Sequence, residues 1–388
     1  MKPKEILGAA LHSQKDILQR LEALVRIESP SEEKTAVDQI SQQVAAWMQE
    51  MGGRVRWHRQ RKFGDLLEVR FAPQKKDRDR KDLRPLMVLG HLDTVWPMGT
   101  LARMPWRVKD GKAFGPGVYD MKAGVVMAMT AIRLLLDAEE LATPVILLLT
   151  SEEEIGSICS RVVIEKLAQE CSAVFVLEPA QGQPGAYKTA RKGVGQYQLH
   201  VDGVAAHSGV DFEKGHSAIV ELAGLIERVA GFTDLKTGLT VNPGVVRGGT
   251  RSNVVAAAAT ADVDVRIARM RDNVRVEKMF RSLRVRDKAC TLQVTGGINR
   301  PPMERGQGTI KLFQKAQELA GEMGLSLTEA STGGGSDGNF TAALGIPTLD
   351  GMGAVGEGAH AKHESVIIKQ LPERTALLAA MIAAHTRK

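Results

Sequence analysis

The chain has 388 residues, 43% of them apolar, which is too long for one ordinary domain and suggests two. No run of about 18 uncharged apolar residues occurs, so no membrane-spanning helix is expected. The net charge of +7 raises the question of a nucleic-acid partner, but aromatics are only 4% of the chain and the sharpest basic cluster, 75–84, alternates with aspartate as a solvated loop between strands would. A nucleic-acid partner is therefore set aside, and a basic balance suits an acidic small substrate equally well.

Helical periodicity opens the chain. Ile6, Leu7, Leu11, Ile17, Leu18, Leu21, Leu24 and Val25 mark a helix over 4–27, and Val37, Ile40, Val44 and Met48 mark another over 35–52. The first is interrupted by charged residues throughout, so it reads as an amphipathic helix and not as a secretory signal; the cytoplasm is the default location. A strand pair follows around 54–72. The apolar stretch 85–91 is a strand ending at His91, a helix opens after Gly124, and 144–150 and 172–179 are further strands. Cys159, Cys171 and Cys290 are scattered without a C-x-x-C pair, which argues for plain thiols and against a disulfide framework or a thiolate zinc site.

The pattern changes near Lys192. An alternating strand, an amphipathic helix from Ser217, two strands, a second helix and a last strand give a β-α-β-β-α-β order over 192–300, that of a small ferredoxin-like unit. Helix–strand alternation then returns, with a helix over 308–322, a strand at 346–351 and a C-terminal helix from about 370. The expected class is α/β: a large α/β sandwich domain formed by 1–190 and 303–388, with a small α+β domain, 191–302, inserted into it.

The ends of the large domain's strands carry the chemistry. His91 and Asp93 follow one strand, Glu152, Glu153 and Glu154 another, and Glu178 a third; Asp120 sits in "GPGVYDMKAG", and His360 and His363 in "GEGAHAKHE". Ligands in open α/β sheets bind outside the carboxyl ends of the strands. Each residue alone has a plainer reading, a surface histidine or a carboxylate at a helix N-terminus. Together, so many carboxylates with only Lys122 nearby need a counter-charge, and one or two divalent cations supply it. Two imidazoles and three carboxylates suit Zn²⁺, with Co²⁺ or Mn²⁺ also possible. In a dinuclear site Asp120 bridges, His91 pairs with Glu178 and His360 with Glu154, and one glutamate remains near the water as general base. Neighbouring residues on an extended backbone point in different directions, so Glu153 and Glu154 need not share a job.

In this arrangement the chain resembles the M20 metallopeptidases, in particular their glutamate carboxypeptidase branch of the carboxypeptidase G type. "GHLDTV", "GPGVYDMKAG", "TSEEEIGS", "LEP", "AAHSG", "GGTRSNVV", "DVDVR", "TGGGSDGNF" and "GEGAH" occur in family order, and the resemblance covers about 15–385. It implies His91, Asp120, Glu154, Glu178 and His360 as ligands of two zinc ions, Asp93 as the carboxylate orienting His91, and Glu153 as the base. His360 is preferred to His363 because a glutamate follows it four residues later. Glu152 is read as solvated. The inserted domain resembles the family's lid, which commonly forms a homodimer. There His207 steadies the developing oxyanion in a neighbouring subunit's site, Asn253 and Arg266 hold the substrate's free carboxylate, and the glycines Gly334 and Gly335 line the substrate cleft.

The resemblance implies hydrolysis of an amide bond in a small N-acyl amino acid or peptide, with release of a C-terminal amino acid, glutamate foremost. Lys188, Arg191, Lys192 and Arg300 are candidates for a glutamate side-chain carboxylate. An aminoacylase, dipeptidase or deacylase of the same superfamily would use the same metal chemistry with other pockets, and a non-catalytic carboxylate-binding homologue would have lost Glu153 or His360.

Overall fold

The computed structural model describes residues 1–74 and 83–385, so the basic segment expected to be a solvated loop lies almost wholly outside the described residues. It divides into two compact units, one of Met1–Ala190, Arg305–Thr332 and Ser336–Lys388, the other of Arg191–Glu304 with Gly333–Gly335.

The first unit is built on a six-stranded mixed sheet. Its strand order is Arg54–His58, Leu66–Phe71, Val145–Thr150, Leu86–His91, Ala173–Val176 and Thr348–Leu349. Leu86–His91 runs parallel to both of its neighbours, with His91 in register with Thr150. These central strands are buried at every residue. Both faces are covered, which is why they read as continuous Val/Ile/Leu runs instead of alternating. Helix Ala123–Asp137 is buried along most of its length and packs against the C-terminal helix Gln370–Ala384.

The single helix expected over 4–27 is two, Pro3–His12 and Gln14–Val25. At Ser13 the backbone N–H is shared between the carbonyls of Ala9 and Ala10, and the hydroxyl bonds back to the Ala9 carbonyl at 3.1 Å. A serine that satisfies local backbone in this way competes with helix propagation.

The second unit holds a four-stranded antiparallel sheet in the order Thr240–Gly248, Ala258–Ile267, Gly193–Asp202 and Thr291–Arg300. Strand Gly193–Asp202 buries alternate residues, so one face meets a core and the other does not. Helices Ala218–Ala230 and Arg271–Arg281 supply that core: Leu222, Leu225 and Phe280 pack with Leu199, Val201 and Val263, and Phe280 stacks on Tyr197 at 3.8 Å between ring centroids. The β-α-β-β-α-β chain order produces this strand order, that of a ferredoxin-like fold.

Candidate metal centre

Three parallel strands of the first unit end side by side, and each end delivers a functional side chain. His91 is the last residue of its strand. Its Nδ1 lies 3.0 Å from the Asp93 carbonyl oxygen, which fixes the ring and aims Nε2 at Asp120 Oδ1, 3.3 Å away, and Glu178 Oε1, 3.7 Å away. Asp120 precedes a cis peptide bond to Met121. Its second oxygen, Oδ2, lies 3.4 Å from His360 Nε2, and that nitrogen is 3.1 Å from Glu154 Oε2. The Asp120 carboxylate thus stands between two imidazoles. Ligand-capable atoms of His91, Glu153 and Glu178 lie within 4.8 Å of one another, as do those of His91, Asp120 and Glu154. His363 is exposed, and the geometry groups His360 with the carboxylates instead.

Asp93 does more than sit beside His91. Its Oδ1 accepts the Glu153 N–H and its Oδ2 the Glu154 N–H, at 3.2 and 3.1 Å, while the Ser31 hydroxyl donates to Oδ2 at 2.6 Å. One buried carboxylate therefore fixes the backbone of the glutamate pair, and its Oδ1 also lies 3.4 Å from His91 Nδ1.

The expectation that Glu152 is solvated is wrong. Glu152 is fully buried, and its Oε1 accepts the N–H groups of Cys159 and Ser160 at 2.8 and 2.6 Å. It caps helix Ser160–Glu170, whose first N–H groups have no partner within the helix. The three consecutive glutamates thus point three ways: Glu152 to a helix terminus, Glu153 toward His91 and Glu178, and Glu154 toward His360.

Electrostatics bind the cluster together. Burial would depress the His91 imidazolium, but Asp120 and Asp93 outweigh it and hold the ring well above its ordinary range. Asp120 and Glu154 together raise His360 to about 10. Burial would raise Asp120, yet His360 and His91 hold it far below the usual carboxylate range. Glu154 is raised, by burial and by the neighbouring Asp120 carboxylate. Lys122, the nearest lysine in sequence, does not neutralise the group: it is buried and its ammonium donates to the Ile27 carbonyl at 2.9 Å.

Three buried atoms here, His91 Nε2, Asp120 Oδ1 and Glu154 Oε1, have no hydrogen-bond partner. Buried polar atoms left in this state are costly. Imidazole nitrogens and carboxylate oxygens converging on one spot are the donor set of a divalent transition-metal ion, so the residues fit the group they would have to hold.

The remaining sequence candidates lie in the second unit. His207 is exposed, and its Nδ1 accepts the Gly209 N–H at 3.1 Å. The Ser208 N–H donates to the Asn253 carbonyl, so the His207 and Asn253 segments run side by side. The Arg266 guanidinium is paired with Asp264 at 2.8 Å and donates to the Gly333 carbonyl. Arg191 donates to the carbonyls of Gly334 and Gly335. Among the proposed basic residues, Arg191 and Arg300 are buried in this unit and Lys188 is buried in the first.

Parallel strand ends that gather one histidine and several carboxylates around a centre, completed by His360 from a loop, define a metallohydrolase class of site. The chain belongs to peptidase family M20/M25/M40, whose family model matches residues 87–384, and it is a hydrolase of that metallopeptidase family. It is similar to carboxypeptidase G2 from Pseudomonas sp. (strain RS-16), with 30% identity over 97% of this chain and 91% of that protein. An acetylornithine deacetylase from Myxococcus xanthus is 28% identical over 52% of this chain and 56% of its own length. Among solved structures, a tripeptidase from Staphylococcus aureus shares the fold at a TM-score of 0.79, with 21% identity over 97% of this chain and 99% of that one.

Proposed function

We propose that the protein is a dinuclear-metal-dependent amide hydrolase that releases a C-terminal amino acid, glutamate foremost, from N-acyl amino acids or small peptides. The observation that carries this reading is the Asp120 carboxylate, with one oxygen 3.3 Å from His91 and the other 3.4 Å from His360. One metal position is assigned to His91, Glu178 and Asp120, the other to His360, Glu154 and Asp120. Two Zn²⁺ ions suit these donors, and Co²⁺ or Mn²⁺ would also be accepted. When bound, such ions supply Lewis acidity and lower the pKa of water.

The chain's own residues do the rest. Glu153 takes the proton of the attacking water and later hands it to the departing amine nitrogen. Asp93 holds the His91 ring and the Glu153 backbone in place. His207 steadies the negative charge that develops on the carbonyl oxygen, acting across a homodimer. Asn253 and Arg266 hold the α-carboxylate of the released amino acid, a task suited to a guanidinium, and Gly334 and Gly335 give the substrate close access to backbone. Homodimerisation through the second unit is supported by its exposed apolar side chains, including Phe212, Val220 and Val246. Three free cysteines are consistent with a reducing cytoplasm. Among the described residues no helix is long and apolar enough to cross a membrane.

A cavity of about 520 Å³ in the first unit is bounded by Glu154 and by Pro30, Val95, Pro97, Met98 and Ile155. Val95, Met98 and Ile155 keep 37–54% of their surface exposed there. Ser31, Thr94, Glu32 and Glu33 complete its lining, and its size suits the acyl side of the substrate.

The test is amino-acid release from a panel of N-acyl amino acids by the Zn²⁺-loaded protein, with Glu153→Ala alongside. Fastest release of glutamate, slowed at least about 100-fold in the variant, is expected. Release of other amino acids alone keeps the mechanism and moves the substrate toward the aminoacylase, dipeptidase or deacetylase reading. Two tightly bound metals without turnover of any panel member would overturn the enzyme reading in favour of a binding protein.

A further inference from the structure

One buried carboxylate near the centre belongs to none of the roles above. Glu364 is fully buried. Its Oε1 accepts the backbone N–H groups of Tyr119 and Asp120, at 2.9 and 3.1 Å. Its Oε2 accepts the Gly117 N–H at 2.9 Å and the indole N–H of Trp96 at 2.8 Å. Four donors therefore converge on a single carboxylate, and two of them are the successive backbone N–H groups of Tyr119 and Asp120. Hydrogen bonds to an ionised acceptor are the strong kind, and an isolated buried charge without them would not persist.

The backbone around Glu364 is equally constrained. Strand Ser365–Ile367 begins at the next residue and pairs with Gly356–Glu357 on one side and Lys112–Phe114 on the other. The loop carrying His360 is thus closed by its own hairpin, with the Glu364 N–H bonded to the Ala361 carbonyl at 2.9 Å. The Asp120 segment leaves from the strand paired on the far side. Glu364 is the side chain that clips these two loops together, one bearing His360 and the other Asp120.

We propose that Glu364 is a positioning residue for the Asp120–His360 pair: by holding the N–H groups of Gly117, Tyr119 and Asp120 from the base of the His360 loop, it sets the approach of the imidazole to the bridging carboxylate. This rests on the metal-centre reading above. It assigns Glu364 no contact with substrate or metal. Its effect passes through the backbone of Asp120.

The experiment compares wild type, Glu364→Gln and Glu364→Ala after metal removal. Each is titrated with Co²⁺, reading stoichiometry, affinity and the visible absorption of the bound ion, with circular dichroism and thermal unfolding to establish that the protein is folded. The amide keeps the shape but turns an NH₂ toward two N–H donors. A folded Glu364→Gln is expected to bind Co²⁺ about 10- to 100-fold more weakly, with an altered absorption band and a reduced kcat at little change in KM. Glu364→Ala is expected to lose more, and the Gln variant carries the test if the Ala variant does not fold. A folded Gln variant with wild-type Co²⁺ affinity and spectrum overturns the proposal alone. A wild type that takes up no Co²⁺ overturns the metal-centre reading itself, and this proposal with it.

Discussion

His360 Nε2 stands 3.1 Å from Oε2 of Glu154, on a residue whose backbone is in the left-handed region at φ 61°. The neighbouring carboxylates, Asp120 first and then Glu154, raise the imidazole to about 10, so in the metal-free protein it carries a proton at neutral pH. A cation must displace that proton. Metal uptake near pH 7 is therefore expected to release protons, and affinity is expected to increase as pH rises toward 10. Calorimetric titration in buffers of different ionisation enthalpy measures the release directly. The same shift has a stability sign. A pKa raised above the unfolded value of about 6.5 contributes stability that is full below that pH and lost as pH climbs through about 10. The metal-free protein should lose thermal stability over that window, and His360→Asn should flatten the loss.

Glu152 offers a contrast within the same run of glutamates. It is buried, and its Oε1 serves two N–H groups at the start of helix Ser160–Glu170. Glu152→Ala leaves both donors without that acceptor, at a cost of about 1–3 kcal/mol. Glu152→Gln keeps an acceptor oxygen and should lose less. Denaturant unfolding should show this order, and the folded variants should still bind metal like wild type.

The sequence alone made two of these glutamates, Glu153 and Glu154, legible as part of a cluster and misread the third, Glu152. Strand ends carrying His91, Glu178 and the glutamate run announce themselves only in combination: each has a plainer reading alone, but so many carboxylates at neighbouring strand ends need a counter-charge. The small unit's chain order was legible for a similar reason: strand and helix periods differ, and they alternate cleanly from Gly193 to Arg300. What escaped was hydrogen bonding to backbone. Whether Glu152 reaches solvent or a helix terminus depends on the turn Glu153–Gly156, which no side-chain pattern specifies. Glu364 was visible only as a marker for His360, since its four donors come from segments about 245 and 268 residues away. Ser13 could have been suspected as a helix break, but serine is also tolerated within helices.

Gly353 approaches the Glu178 segment closely. A Cβ there would lie 2.2 Å from the Leu177 carbonyl oxygen and 2.8 Å from that of Glu178, and its N–H donates to the Glu178 carbonyl at 2.9 Å. These neighbours are backbone atoms that cannot rotate aside. Gly353→Ala is expected to shift Glu178 and weaken Co²⁺ binding about 10-fold or more in the folded protein. Gly321→Ala, in a helix where a Cβ meets nothing within 4 Å, should leave metal binding unchanged and raise the thermal midpoint slightly.

Acid sensitivity away from the centre falls on Glu68. Its side chain is fully buried and has two partners, with His58 Nε2 2.6 Å from Oε2 and Arg70 against Oε1. Burial would raise the carboxyl, but His58 and Arg70 outweigh it and lower it to about 2. A depressed folded pKa contributes stability that is present above the unfolded value, about 4.3, and lost as pH falls toward 2. Glu68→Gln should therefore cost about 2 kcal/mol at pH 7, where wild type has the charge-assisted bonds and the amide does not. Between pH 4.5 and 3 the wild-type unfolding free energy should fall more steeply than that of the variant, and the two curves should converge. Parallel curves across that range in urea titrations would mean that the Glu68 carboxylate is not the group whose protonation loosens this edge of the sheet.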